Sequence, residues 1–108
     1  MKLPNSERAF IDIRKLRDYC LSPVHSRGKN KARVFASLRG LLSEDALSLR
    51  DFLLKVVVTH DVVLEEEDAF GQRYHIDAEW PGSGKIIRSS WIIRHEEDFP
   101  RLTSCYVL

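Results

Sequence analysis

The chain has 108 residues, of which 44% are hydrophobic and 31% charged, the composition of one globular domain rather than of a disordered or fibrous protein. Its formal net charge is +1, so any contact with nucleic acid or phosphate must use a local basic patch. Apolar runs are too short for a bilayer span, and the N-terminal residues lack a signal-peptide stretch. We therefore expect a single domain over residues 1–108, in the cytoplasm and without membrane contact.

The first half of the chain predicts helices. Apolar residues at helical spacing predict a first helix over residues 12–21, with Asp12 as its N-cap. A second helix is expected over residues 29–38. A third is expected to begin at the cap residue Ser43 and to run over residues 44–60.

The second half predicts strands over residues 62–69, 71–80, 85–94 and 101–107, with a turn at residues 81–84. Helices followed by a run of strands are typical of an α+β domain. The expected architecture is about three N-terminal helices packed on one face of a roughly four-stranded antiparallel sheet.

The alternation within the second strand separates two faces. Tyr74, Ile76 and Ala78 fall on the apolar face. Arg73 and His75 fall on the opposite face, together with Asp77 and Glu79. The third strand brings either Arg88 and Ser90 or the Ser89 set onto the face of His75, and the sequence does not fix that register. Trp91 is expected in the core.

A compact basic run occupies residues 25–33, and no acidic residue interrupts it. His25 and Gly28 belong to a predicted loop that leads into the second helix. Backbone N–H groups at a helix start can hold a phosphate. Lys29 and Arg33 are four residues apart and share a helix face. This segment is a candidate anion-binding corner.

Five short motifs then carry a resemblance to a known family. They are Leu-Pro-Asn-Ser-Glu-Arg at 3–8, the basic run continuing to Phe35, Gly-Gln-Arg-Tyr at 71–74, Arg-Ser-Ser-Trp-Ile-Ile at 88–93, and Phe-Pro-Arg-Leu at 99–102 with Tyr106. In this order they resemble a family of uncharacterised bacterial domains of unknown function. Those domains occur as small stand-alone proteins and as C-terminal modules of polymorphic toxins. Their layout looks like the metal-independent ribonuclease fold of barnase-like, EndoU-like and RelE-like toxins, a similarity at the level of fold.

The resemblance implies RNA cleavage by acid–base chemistry around a phosphate. The residues expected to be catalytic are His25, His75 and Lys31. Those expected to bind phosphate are Gly28, Lys29, Arg33, Arg73, Arg88, Ser90 and Arg101. RNA and a small antitoxin-like protein are the implied partners. No cofactor is expected and no metal, because consecutive carboxylates at 65–68 alternate between the faces of a strand.

Simpler alternatives stay open for these residues, and enzymatic activity is itself undecided. His25 can brace its own loop, and His75 with Arg73 can belong to a solvated face. Arg101 can meet a phosphate or one of the acids at 96–98. The same basic loop can serve a non-catalytic module that binds nucleic acid or protein. Alternatively, the acidic segment 65–68 can dock the other half of an operon-encoded pair.

Overall fold

The computed structural model describes residues 1–16 and 46–108. Four strands form one antiparallel sheet in the order β1-β2-β3-β4. They are β1 (Val63–Glu67), β2 (Gly71–Glu79), β3 (Ile86–Arg94) and β4 (Arg101–Val107). Before the sheet come a 3₁₀ turn (Ser6–Arg8), the single helical turn α1 (Ile13–Lys15) and the long helix α2 (Ala46–Thr59). The α+β class and the four-stranded antiparallel sheet are therefore confirmed.

Of the about three helices expected, the described residues show one in full and the beginning of another. The described ranges contain one helix longer than a single turn, α2. The helix predicted for residues 29–38 and the cap Ser43 lie outside the described residues. The first predicted helix does begin after Asp12, whose carboxylate accepts a hydrogen bond of 3.0 Å from the backbone N–H of Arg14. The structure describes it as far as Leu16.

The first strand ends earlier than the predicted residues 62–69, because Asp68 turns the chain. Its Oδ1 accepts hydrogen bonds from the N–H groups of Phe70 at 2.9 Å and Gly71 at 3.3 Å. A side chain that bonds to the backbone two and three residues ahead replaces the strand ladder with a local turn. β1 therefore stops at Glu67 and β2 begins at Gly71.

The core lies between α2 and one face of the sheet. Residues at helical spacing form the buried side of α2, and they are Leu49, Leu53, Val56 and Val57. Alternate strand residues oppose them, and these are Tyr74, Ile76, Ala78, Ile87, Trp91, Leu102 and Cys105. Burying a side chain of the size of leucine stabilises the fold by about 1.5–3 kcal/mol.

Trp91 occupies the core as expected, and Ser89 satisfies its indole. The Trp91 side chain is fully buried, and its Nε1–H donates a 2.9 Å hydrogen bond to Ser89 Oγ. The Ser89 hydroxyl donates in turn to the Ile76 carbonyl at 3.4 Å. The buried indole N–H thus has an acceptor, and the buried hydroxyl both accepts and donates, as buried polar groups require.

The register of β2 and β3 settles which residues share the face opposite the core, which we call the outer face. His75 pairs with Ser90, Asp77 with Arg88, and Arg73 with Ile92. Arg88 and Ser90 therefore lie on the face of His75, whereas Ser89 points into the core.

The N-terminal segment closes the beginning of β4. Phe10 forms a parallel bridge with Arg101, and its carbonyl accepts a 3.0 Å hydrogen bond from the N–H of Leu102. The Phe10 N–H donates to the Pro100 carbonyl at 2.8 Å. Across the described ranges, the structure has no helix whose length and apolar content would let it span a membrane.

Candidate acid–base site on the outer face of the sheet

The outer face carries a carboxylate–histidine pair between β1 and β2. Glu65 Oε1 lies 3.1 Å from His75 Nδ1, and the His75 side chain is only 14% exposed. An ionised carboxylate can only accept, so Nδ1 carries the proton of this bond. The other ring nitrogen, Nε2, is then the one that can take up or release a proton. The pair fixes the tautomer of His75 in the way that general acid–base chemistry requires.

A bulge in β1 brings Glu65 to this position. Leu64 pairs with Tyr74 and Glu67 pairs with Gln72, so the two residues between them in β1 oppose Arg73 alone. The Gln72 side-chain amide fills the irregular ladder by donating to the Glu65 carbonyl at 2.8 Å. Bulges of this kind re-aim side chains and are frequent beside active sites.

A second bulge lies in β4, the opposite edge strand of the sheet, beside Ser90. Ser90 pairs with Ser104 and Trp91 with Leu102, which leaves Thr103 as the extra residue of β4. Thr103 Oγ1 donates a 3.1 Å hydrogen bond to the Ser90 carbonyl. The row formed by His75, Ser90 and Ser104, which we call the histidine row, is thus flanked by a bulge at either end.

The histidine row combines one imidazole with two hydroxyls. Residues directly opposite in an antiparallel pair hold their Cβ atoms about 4.5–5.5 Å apart. Ser90 is therefore the cross-strand neighbour of His75, and Ser104 follows on β4. Hydroxyls beside an orientable imidazole can donate to a phosphate oxygen or position a reacting hydroxyl.

Arg73 also lies on this face, where its side chain is paired with Asp68. Its Nε donates to Asp68 Oδ2 at 2.6 Å. The described residues offer no hydrogen-bond acceptor to its two terminal nitrogens. The Arg73 hydrogen bond and the backbone bonds of the turn lower the pKa of Asp68, so this carboxylate stays ionised.

Arg88 is held more completely. Its Nε and Nη2 donate to the two carboxylate oxygens of Asp77 at 2.7 and 2.8 Å. The guanidinium lowers the pKa of Asp77, and the same hydrogen bonds, with a further one to Tyr106, raise the pKa of Arg88. A phosphate that bound Arg88 would compete with a two-point carboxylate partner.

Arg101 pairs with Glu97, one of the neighbouring acids at 96–98. Its Nε and Nη2 each donate to Glu97 at 2.7 Å, and its guanidinium lies over the rings of Phe10 at 4.9 Å and Phe99 at 5.1 Å. The hydrogen bond from Arg101 lowers the pKa of Glu97. This sandwich ties the N-terminal segment to the loop before β4, which is a structural use of the guanidinium.

The structure therefore brings together four of the predicted residues on one face: Arg73, His75, Arg88 and Ser90. Arg101 lies at the end of that face in its own cluster. The remaining predicted residues are His25, Gly28, Lys29, Lys31 and Arg33. All five lie outside the described residues, and their roles stay predictions.

A surface cavity of about 480 Å³ opens beside the histidine row. Its lining includes Phe70, Arg73, Ile92, Arg94, Glu96 and Thr103. Ile92 is buried yet does not belong to the core cluster, which agrees with its place on the outer face. The cavity lies between the β1–β2 turn and the loop that follows β3.

Sequence reasoning missed Glu65, Asp68, Phe70 and Arg94 as parts of this region. Glu65 was interpreted only as one of a solvated acidic run, because a bulge leaves no signal in single-strand periodicity. Phe70 did carry a signal, since a large apolar residue stands in a turn between Asp68 and Gly71. Within the ranges that the structure describes, no three histidine, cysteine or carboxylate side chains gather as metal ligands would.

Fold and site together define a small α+β domain with a carboxylate–histidine pair on the outer face of an antiparallel sheet. The chain belongs to the family DUF6883, a domain of unknown function, whose model matches residues 2–108. The resemblance to a family of uncharacterised domains is thereby confirmed. No curated protein and no solved structure gives a significant match to the chain.

Proposed function

We propose that this protein is a ribonuclease-like domain of the toxin type, which cleaves RNA without a metal ion at the histidine row. The observation that carries the proposal is the Glu65–His75 pair, with 3.1 Å between Oε1 and Nδ1, opposite Ser90. RNA supplies its own nucleophile, the ribose 2′-hydroxyl, so the protein has to move protons and stabilise charge.

The reaction requires one base and one acid. The base takes the proton of the 2′-hydroxyl, whose oxygen forms a bond to phosphorus while the bond from phosphorus to the 5′-oxygen breaks. The acid gives its proton to that leaving oxygen, and the product is a 2′,3′-cyclic phosphate. His75, oriented by Glu65, is one member of this pair in our proposal, and His25 is the other.

Charge around the phosphate comes from Arg73 and from the basic run at 25–33. Arg73 supports this role because, among the described residues, Asp68 engages its Nε and no acceptor engages its terminal nitrogens. In the proposal Lys31 stabilises the transition state, while Gly28, Lys29 and Arg33 hold the phosphate through backbone and side-chain donors. Ser90 donates from the sheet.

The test is cleavage of a single-stranded RNA in the presence of a chelator. We expect wild-type protein to cleave RNA to 2′,3′-cyclic ends and to leave DNA and 2′-O-methyl RNA intact. His75→Gln should lower the rate by about 10²–10⁴-fold, the usual contribution of a positioned acid or base. His60→Gln is the matched control, because His60 lies after α2 and bonds to Thr59, away from the outer face. A folded wild-type protein without cleavage, or a His75→Gln variant as active as wild type, would refute the proposal.

A second candidate is a non-catalytic module that binds RNA or an antitoxin-like protein. The pairing of Arg88 with Asp77 and of Arg101 with Glu97 favours it, because both guanidinium groups are already engaged at two points. Binding of RNA with a steep salt dependence and no turnover would support this function. Formation of 2′,3′-cyclic products would instead support cleavage.

A further inference from the structure

Phe70 presents an aromatic ring to solvent from a turn whose backbone is fixed. Phe70 is 68% exposed, the highest value among the large apolar residues that the structure describes. Its N–H donates to Asp68 Oδ1 at 2.9 Å, and its carbonyl accepts from the N–H of His95 at 3.3 Å. A ring on a fixed backbone loses little conformational freedom when a ligand contacts it, so Phe70 is preorganised for stacking.

Gly71 shows how closely this turn is built against β3. Its φ of +155° lies where glycine is favoured, and a Cβ at this position would collide with the carbonyl oxygen of Ile93. The His95 ring also holds the turn, since its Nε2 lies 2.9 Å from the Asp68 carbonyl. Phe70 therefore stands at a defined place on the rim of the 480 Å³ cavity.

The lining of this cavity includes two arginines and one acidic residue, which are Arg73, Arg94 and Glu96. Arg73 is engaged at Nε alone, and Arg94 is exposed and forms no ion pair with the described residues. The four terminal nitrogens of these two arginines can thus donate to an anion, which is the arrangement that binds phosphate.

Size and position fit one nucleotide. Small-molecule cavities measure about 300–1,000 Å³, and this one has about 480 Å³. The pair of Arg73 and Ile92 follows the pair of His75 and Ser90 on the same face, about 7 Å further along the strands. A phosphate held at Arg73 is then within one nucleotide of the imidazole.

We propose that this cavity is a nucleotide subsite, in which a base stacks on Phe70 and a phosphate binds Arg73 and Arg94. The proposal rests on the proposed function and deepens it, because it states how the site binds its substrate. The ligand class is a single-stranded ribonucleotide, since an unpaired base is needed to stack on an aromatic ring. Ile92 and Thr103 also line the cavity.

The experiment is titration of the full chain with the four ribonucleoside 3′-monophosphates, followed by amide NMR shifts at residues 69–73 and 94. Matched arms use the nucleosides alone and inorganic phosphate alone. Phe70→Ala should weaken nucleotide binding about 5- to 150-fold, the range of one base–aromatic stack. Arg94→Gln should weaken it about 10- to 150-fold, as loss of one charged hydrogen bond does.

Two controls match these variants. Leu64→Ala removes an exposed apolar side chain on β1, and Lys85→Gln removes an exposed cation at the opposite end of the sheet. Both should bind nucleotide as wild type does. The subsite is refuted if no shifts appear by about 10 mM nucleotide, if Phe70→Ala binds like wild type, or if phosphate alone binds as tightly as nucleotide.

The two proposals can fail separately. Nucleotide binding that depends on Phe70 and Arg94 in a protein that does not cleave RNA would support the subsite and refute the ribonuclease. Cleavage that depends on His75 but keeps its KM in Phe70→Ala would refute the subsite and support the ribonuclease.

Discussion

Glu65 and His75 belong to different strands and are not paired in the sheet register, yet their side chains meet at 3.1 Å. The ladder partner of His75 is Val63, and Glu65 reaches the ring because β1 bulges at residues 65–66. The tautomer of the imidazole is therefore set by an irregularity of the backbone.

The first prediction concerns that tautomer. In wild-type protein, the neutral form of the His75 ring should carry its proton on Nδ1. Glu65→Ala should raise the Nε2-protonated population, because the carboxylate acceptor is lost. Ring ¹⁵N shifts measure the two forms. Glu66→Ala is the matched control and should leave the tautomer unchanged; an unchanged tautomer in Glu65→Ala would contradict the assignment.

The second prediction concerns Gly71. Gly71→Ala should destabilise the protein by about 3 kcal/mol or more, because the Cβ has no space and the backbone must shift. Gly84→Ala is a useful comparison, since Gly84 has φ of +70° but nothing near its Cβ position. It should cost about 1–2 kcal/mol, the strain of that backbone conformation alone. Urea unfolding followed by tryptophan fluorescence compares them, and equal losses would contradict the clash.

The third prediction concerns the buried pair of Ser89 and Trp91. Ser89→Ala should cost about 1–3 kcal/mol, because the indole N–H is left without its acceptor. In a Trp91→Phe background the same substitution should cost less, since there is no indole N–H that could be left without an acceptor. A double-mutant cycle from chemical unfolding measures the coupling. Additivity within about 0.3 kcal/mol would show that the hydrogen bond contributes nothing.

The fourth prediction concerns acid stability. Hydrogen bonds from Arg73 and Arg88 lower the pKa values of Asp68 and Asp77 below the ordinary 3.8. At a pH between the folded and the unfolded pKa values, the unfolded chain binds more protons than the folded one. Stability is therefore lost as the pH falls from about 4.5 through the folded pKa values. It should be fully present at pH 6–7.

The measurement is the urea midpoint between pH 2 and pH 7. Asp68→Asn and Asp77→Asn should each lower the midpoint at pH 7 and flatten its decline below pH 4, because the ionised partner is gone. Variants whose curves stay parallel to wild type over the whole range would contradict a contribution from these ion pairs.

Much of the sheet could be predicted because it follows local pattern. Alternation in β2 separated Tyr74 from His75, and both lie on the expected faces. The turn signal at 81–84 predicted the hairpin between β2 and β3 correctly. The Trp80 N–H donates to the Lys85 carbonyl at 3.0 Å across the hairpin end. That hairpin fixes the register which the sequence left open between Ser89 and Ser90.

The parts that could not be predicted depend on non-local or irregular geometry. Periodicity cannot place a bulge, so Glu65 was not linked to His75. It also cannot choose a partner for Arg101 among three neighbouring acids, and the loop conformation selects Glu97. Phe70 was missed because its exposure depends on how the turn is folded against Ile93 and His95.

The docking of the N-terminal segment constrains the order in which the protein folds. Asn5 and Arg8 both bond to Asp98, 93 and 90 residues away along the chain. Closing so long a loop is entropically costly, and no local contact can compensate before the loop ahead of β4 has formed. These contacts should therefore assemble late, after the loop ahead of β4 has formed.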